Sequence, residues 1–409
     1  MQVCREYSQL SRRAFLMGGL TIAAATTGLS QALLDIQRRD RKRALVVLFL
    51  RGGADGLNTV VPVEDDAYYR LRPSLAIPKS EVIDLDGSLG FHPALQPIHP
   101  LFADGKLAVV QAVGSDDRSR SHFEAMNAME RGVAEVADAP SDGWLARYLA
   151  ARNHTSTSPL TAVSFSSVKP DSLIGATHSL ALESIESFRL DMPQAERESV
   201  QAMLRAIFSS GEDSFSRAGR ETLEVLEKLS HVARQNPVGK YPDSDLGASL
   251  RQAAFLLRSD LGAEVICVER GGWDTHVAQG STAGWHASLL TDLSQSLAAF
   301  AEDLGPMLDD TTVVVMTEFG RRAYENTGLG TDHGRASFML VLGGGVRGGQ
   351  VHGDWPGLAE DQLEEPGDLR VTTDYRSVLA EVLTGRMDLP DASRVFPGLE
   401  KAVVGVLGA

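Results

Sequence analysis

Cysteine is nearly missing from this sequence. Its 409 residues hold two, Cys4 and Cys267. Cys4 falls in what reads as a leader, so the mature chain would carry one thiol and no internal disulfide. Secreted folds that depend on disulfides carry several, so this one must be stable through its core. Cys267 stands in the apolar run Val265-Ile266-Cys267-Val268 and reads as a buried small hydrophobe rather than a nucleophile. Positive charge is in deficit too: 39 Lys and Arg face 54 Asp and Glu, a formal net charge of -15. This argues against general nucleic-acid binding, which needs a positive face. A cleft can still be locally basic, so an anionic ester is compatible with the total. Beyond the N-terminus no apolar run is long enough to span a bilayer, and no transmembrane span is expected in the mature form. A dinucleotide fingerprint, a cysteine cluster and a haem motif are all lacking, which speaks against a redox enzyme.

The N-terminus carries a different signal. Ser11-Arg12-Arg13-Ala14-Phe15-Leu16 pairs two arginines ahead of a Gly/Ala/Thr-rich stretch, Met17 to Leu29, too short and too polar for a good membrane span. Ser30-Gln31-Ala32 offers small residues where a signal peptidase prefers them, so cleavage is expected after Ala32. The arrangement resembles a twin-arginine leader. Residues 1–32 are then a signal peptide and 33–43 a basic joint. The twin-arginine export machinery is an expected partner, and the expected location is periplasmic or extracellular, reached in folded form.

Residues 44–409 read as a single α/β domain. Short continuous apolar runs, at Ala44 to Leu50, Leu107 to Val113, Ala263 to Val268, Thr311 to Met316 and Phe338 to Leu342, have the pattern of strands buried on both faces. Helical spacing recurs between them, most clearly at Leu246 to Leu257, His286 to Leu304 and Val378 to Leu383. Ser121 with Glu124 three residues on reads as the start of a helix. The middle, about 155–250, reads as a largely helical insertion or cap, although 155–189 looks more like strand and loop. Strands alternating with helices predict a three-layer sandwich with a mostly parallel central sheet, and such sheets bind ligands beyond the carboxyl ends of their strands.

The polar clusters fall at those strand exits. Their carboxylates and histidines are Asp55, His122, Asp274, His276, Glu318, Asp332, His333 and His352. Oxygen and imidazole donors in this mixture suit Zn²⁺, Mn²⁺ or a similar divalent ion. Taken singly each has a plainer reading. Asp55-Gly56 is an ordinary turn pair, Glu318 either caps a turn or binds something, and His352 alone suits a surface or packed position. Asp274-Thr275-His276 is more specific, because Gly271-Gly272 would let the backbone wrap closely.

Taken together, Leu50-Arg51-Gly52-Gly53-Ala54-Asp55-Gly56-Leu57-Asn58, Phe91-His92-Pro93-Ala94-Leu95, Ser121-His122-Phe123, Gly271-Gly272-Trp273-Asp274-Thr275-His276, Thr317-Glu318-Phe319-Gly320-Arg321 and Asp332-His333-Gly334 resemble the exported bacterial family catalogued as domain of unknown function 1501. That family is placed near alkaline phosphatases, sulfatases and cofactor-independent phosphoglycerate mutases, so the resemblance implies an alkaline-phosphatase-like fold. Carried over by position, Asp55 would bind one ion and Asp274 with His276 another. Asp332-His333 would match an Asp-His pair and His352 a late histidine, with Glu318 replacing an aspartate ligand. Divalent metal is implied, zinc first and Mn, Mg or Ca as alternatives, as one ion or two. Ser121 would be the nucleophile or its replacement, with Ser119 and His122 as competitors. Ser121 and His122 are therefore the candidate catalytic residues, and Arg51, Asn58 and Arg321 the candidate substrate contacts. The sulfatase pattern Cys/Ser-x-Pro-x-Arg is absent, which removes a formylglycine mechanism. Two functions follow: a metal-dependent hydrolase or transferase acting on a phosphate or sulfate ester, or a non-catalytic envelope protein of the same fold that binds a polysaccharide or a protein partner.

Overall fold

A computed structural model describes residues 43–152, 158–186, 188, 190, 192–209, 211–231, 237–400 and 403–408. The expected leader and all of the basic joint but Arg43 lie outside the described residues. The strands are β1 (Ala44–Leu50), β2 (Val60–Pro62), β3 (Ile83–Asp84), β4 (Leu89–Phe91), β5 (Leu107–Gly114), β6 (Ala162–Phe165), β7 (Ser179–Leu182), β8 (Val265–Arg270), β9 (Thr311–Thr317), β10 (Ser337–Gly343), β11 (Val351–His352) and β12 (Thr373–Asp374). The main sheet has the order β11-β5-β10-β9-β1-β8-β6-β7, with β12 also on β5. Its pairings are parallel except those of β10, which runs antiparallel to both neighbours. β2, β4 and β3 form a small antiparallel sheet beside it.

The unbroken apolar runs follow from this position. A strand covered on both faces needs an apolar side chain at every residue, and all seven of β1 are buried. Val46, Leu48 and Leu50 enter one core with Leu250 and Leu257 of the helix Asp245–Arg258 and Leu290, Leu297 and Phe300 of the helix Trp285–Leu304. Leu45, Val47 and Phe49 enter the other with Trp144 and Tyr148 of the helix Trp144–Ala151 and Val378 and Leu383 of the helix Tyr375–Arg386. The architecture is therefore the three-layer α/β sandwich with a mostly parallel sheet. Cys267 lies in the second core, where burial pushes its thiol well above the ordinary range. Among the described residues no helix is long and apolar enough to cross a membrane.

The insertion differs from expectation. The strands expected within 155–189 are β6 and β7, and they extend the main sheet beyond β8 rather than forming part of an insertion. The helix Asp245–Arg258 packs into the first core. The excursion reduces to the helices Gln194–Ser209 and Ser214–His231, whose surfaces are largely exposed.

Register defines a rim. Leu50 at the end of β1 pairs with Arg270 of β8 and Thr317 of β9. Because β10 runs the other way, its first residue, Ser337, pairs with Val113 near the end of β5. The segments that leave β1, β5, β8 and β9 and the one that leads into β10 thus meet along one edge.

Candidate metal centre

Close backbone contact at the rim sets the positions of the site residues. Gly52 has φ 122°, and a Cβ there would lie 2.6 Å from the backbone nitrogen of Asp274. A Cβ on Gly320 would meet the Ala336 carbonyl at 1.8 Å. Both approaches require glycine. The buried Arg321 ties the segments together. Its Nε donates to Gly53 O at 2.6 Å and Nη1 to Thr331 O at 3.0 Å. Nη2 reaches the Gly52 and Trp273 carbonyls and Asp274 Oδ1, the last at 2.7 Å.

A second set of bonds turns the threonines inward. The hydroxyls of Thr275 and Thr331 donate to Gln279 Oε1 at 2.8 and 2.7 Å, and Gln279 Nε2 donates to Asp55 Oδ2 at 2.6 Å. With Thr275 and Thr331 buried, Asp274, His276, Asp332 and His333 are left on the accessible side.

There three imidazoles meet one carboxylate. His276 Nε2 and His333 Nε2 are 2.9 Å apart, and each is 3.1 Å from Asp274 Oδ1. His122 Nε2 lies 3.5 Å from Asp274 Oδ2 and is buried without a hydrogen-bond partner. One ligand atom each from His122, Asp274 and His333 fall within 4.8 Å of one another. The opposite nitrogens are all engaged. His122 Nδ1 bonds Glu318 Oε1 at 2.7 Å, His276 Nδ1 bonds Asp332 Oδ1 at 3.2 Å, and His333 Nδ1 bonds the Arg120 carbonyl at 2.8 Å. An acceptor at Nδ1 assigns a proton to that nitrogen, and in the neutral imidazole this leaves a lone pair on Nε2. Ligand atoms of a tetrahedral ion at about 2.0–2.1 Å are roughly 3.3 Å apart, close to the separations found. The residues fit a divalent cation of the borderline class.

The charges agree with this. Burial alone would raise the Asp274 carboxyl, but the hydrogen bond and charge of Arg321 hold it down to about 2. Burial pushes His333 below the usual imidazole range, toward the neutral ligand form. His122 goes the other way: the Glu318 hydrogen bond raises it despite its burial, so a cation at its Nε2 would have to displace a proton. Glu318 is itself buried, and its Oε1 also accepts from Gly52 N at 2.8 Å.

The expected site residues thus divide. Asp274, His276 and His333 come together. His122, expected in catalysis, stands among them, and Glu318 and Asp332 sit behind the imidazoles rather than at their Nε2 atoms. Asp55 does not join the cluster: it is fully buried, and both its oxygens are taken, by Arg72 (2.6 and 3.0 Å) and by Gln279. Asn58, expected at the substrate, is buried, bonding Leu75 O, Tyr68 and Arg72. Arg51, expected to contact an anion, is paired with Glu130 and Glu269, and Arg321 is spent on the protein's own carbonyls and Asp274. His352 lies in β11 at the sheet edge, its Nε2 on the Arg347 carbonyl at 2.9 Å, away from the rim. Ser121 is the N-cap of the helix His122–Arg131 and makes no side-chain capping bond. Arg72 and Gln279 were not foreseen. A buried arginine needs a carboxylate nearby, which could have prompted a search around Arg72, but nothing in the local sequence marks Gln279.

Such a sheet and rim define an α/β protein with a candidate histidine–aspartate metal centre at the carboxyl ends of its strands. The chain belongs to the family described as "Protein of unknown function (DUF1501)", which matches residues 42–397. No curated protein matches the sequence. Among solved structures the chain is similar to a sulfatase from Pseudoalteromonas sp., at 11% identity and TM-score 0.39 over 94% of this chain and 77% of that one. It is similar to the phosphonate monoester hydrolase of Agrobacterium radiobacter, at 10% identity and TM-score 0.36 over 89% and 79%. A third is the alkaline phosphatase of the Antarctic bacterium TAB5, at 11% identity and TM-score 0.30 over 75% and 93%.

Proposed function

We propose that this chain is an exported metal-dependent hydrolase or transferase acting on a phosphate or sulfate ester, with His122, Asp274, His276 and His333 holding one divalent ion. One observation carries the reading: three imidazoles whose Nδ1 atoms are engaged elsewhere turn their Nε2 atoms, with a carboxylate, on one point. The two Nε2 atoms of His276 and His333, 2.9 Å apart, need a positive charge between them, a proton or a metal ion. Three nitrogens and one oxygen favour zinc over Mn, and Mn over the harder Mg and Ca. When bound, such an ion supplies a Lewis acid for an ester oxygen and lowers the pKa of water. Asp55 and His352 stand apart, so a second ion is not part of the proposal.

The chain's own groups have separate tasks. Glu318, Asp332 and the Arg120 carbonyl orient the imidazoles. Arg321 holds Asp274 ionised. Ser121, one residue before His122, offers a hydroxyl as nucleophile beside the free N–H groups of a ten-residue helix, which favour an anion.

The test is elemental analysis of purified protein together with turnover of an aryl phosphate and an aryl sulfate. About one zinc per chain is expected, with turnover lost on chelation and restored by zinc. A folded protein that takes up no divalent ion sinks the proposal. Metal uptake with both esters left intact would favour the envelope-binding reading instead.

Export is supported by the leader pattern alone. Replacing Arg12 and Arg13 by lysine should leave an uncut precursor in the cytoplasm, while the exported wild-type chain should begin at Leu33 on N-terminal sequencing. Normal export of the doubly substituted chain would exclude the twin-arginine route.

A further inference from the structure

Next to the histidine cluster the rim opens into a cavity of about 370 Å³ lined by Arg118, Arg120, Arg335, Arg370, Glu364 and Glu365. Four guanidinium groups and the carboxylates of Glu364 and Glu365 line it, with Asp368 and Asp116 paired behind Arg120 and Arg335, on a chain whose net charge is -15. Two of the four are fixed. The buried Arg335 is held by Glu364 and by the Ser115 carbonyl at 2.8 Å. Arg120 is held by Asp368 through Nε at 2.8 Å and by the Glu365 carbonyl at 3.0 Å. The other two, Arg118 and Arg370, are exposed, and among the described residues their side chains have no ion pair or hydrogen bond. Arg335 keeps a buried Nε without a partner. A cavity with fixed and free guanidinium groups suits a tetrahedral or planar anion, because the forked N–H donors match its oxygens.

Its location gives the cavity a link to the metal centre. Arg120 lines the cavity, while its carbonyl accepts from His333 Nδ1 at 2.8 Å. The same residue adopts φ 52°, a left-handed turn uncommon outside glycine, and is followed directly by Ser121 and His122. One short segment therefore forms a wall of the cavity, an orienting contact for one imidazole, and the start of the helix that carries another.

We infer that this cavity is a second anion subsite, and that the substrate carries at least two anionic groups, one at the histidine cluster and one, a sulfate, phosphate or carboxylate, at the arginines. The inference rests on the proposed reaction for its first group, but the second subsite does not need the metal. An anion seated there would also steady the Arg120 turn.

The decisive experiment is calorimetric titration of the chelator-treated full chain, at constant ionic strength, with a fully sulfated tetrasaccharide and with its desulfated counterpart. Saturable binding of the sulfated probe alone is expected, weakened roughly tenfold or more in the Arg118→Ala/Arg370→Ala double variant. Both side chains are exposed, so the variant should keep the circular dichroism spectrum and metal content of wild type. Competition by inorganic sulfate, inorganic phosphate and acetate then identifies the preferred anion. Absence of binding, equal binding of the desulfated probe, or equal affinity in the double variant would each overturn the subsite. Because these titrations are done without metal, failure of the metal centre and failure of the subsite give separate results.

Discussion

Asp274→Ala should strip the centre of its metal, with affinity falling by more than about 100-fold in competition titrations against a chromophoric chelator. Asp274 presents oxygen to all three imidazoles, so its loss removes a ligand and the one negative charge at the centre of the cluster. Glu318→Gln touches the imidazoles only through His122 Nδ1 and can keep an oxygen toward Gly52 N, so it should cost less, about 10- to 100-fold, as changes behind a ligand do. The two variants form a graded pair. Equal losses would show that Asp274 acts at the same remove as Glu318, and no loss in either would place the ion elsewhere. Arg321 keeps its four backbone carbonyl partners after Asp274→Ala, so the loop framework should persist, as near-ultraviolet circular dichroism can verify.

Asp55→Asn should be the costliest change to the fold. It leaves Arg72 buried at zero exposure without its counter-charge, and breaking such a pair from one side costs about 3–5 kcal/mol, read as a lower urea midpoint. The pH dependence has a definite sign. Burial would raise the Asp55 carboxyl, but the charge and hydrogen bonds of Arg72 outweigh it and hold the group below the usual carboxylate range. A folded-state pKa below the unfolded one means that the contribution is present above about pH 4 and is lost as pH falls through the folded value. Wild-type stability should therefore drop on acidification below about pH 4 more steeply than that of Asp55→Asn. Parallel slopes would show that Asp55 is not the group responsible.

The same aspartate shows how far sequence reading reaches. Strands were legible because double-sided burial leaves continuous apolar runs, and Ala44–Leu50 was read to the residue. The rim was legible because polar residues directly after such runs have nowhere to go but the sheet's edge. What each polar residue does there was not. Asp55 and Asp274 look alike in sequence, each an aspartate a few residues past a buried strand and close to a glycine pair. Arg72, 17 residues further on, folds back onto Asp55 and with Gln279 takes both its oxygens, whereas Arg321 leaves Asp274 half exposed among the imidazoles. His352 is followed by glycine as His333 is, but its strand is only two residues long and sits at the outer edge. His122 was placed correctly at a helix start, while its Nδ1 partner, Glu318, is 196 residues away. Pairings across such separations leave no local trace.

The direction of β10 has a practical consequence. Its reversal keeps the whole connection from Glu318 to Ala336 on one side of the sheet, and that single stretch carries Arg321, Asp332 and His333. This hairpin connection can be exchanged with a relative's without rethreading any strand, provided Arg321 and the close approaches of Gly320, Gly330 and Gly334 are kept. Swapping it between family members is thus a route to exchanging half of the centre's chemistry in one step, while the other half, on the β5 and β8 exits, stays as a fixed recipient.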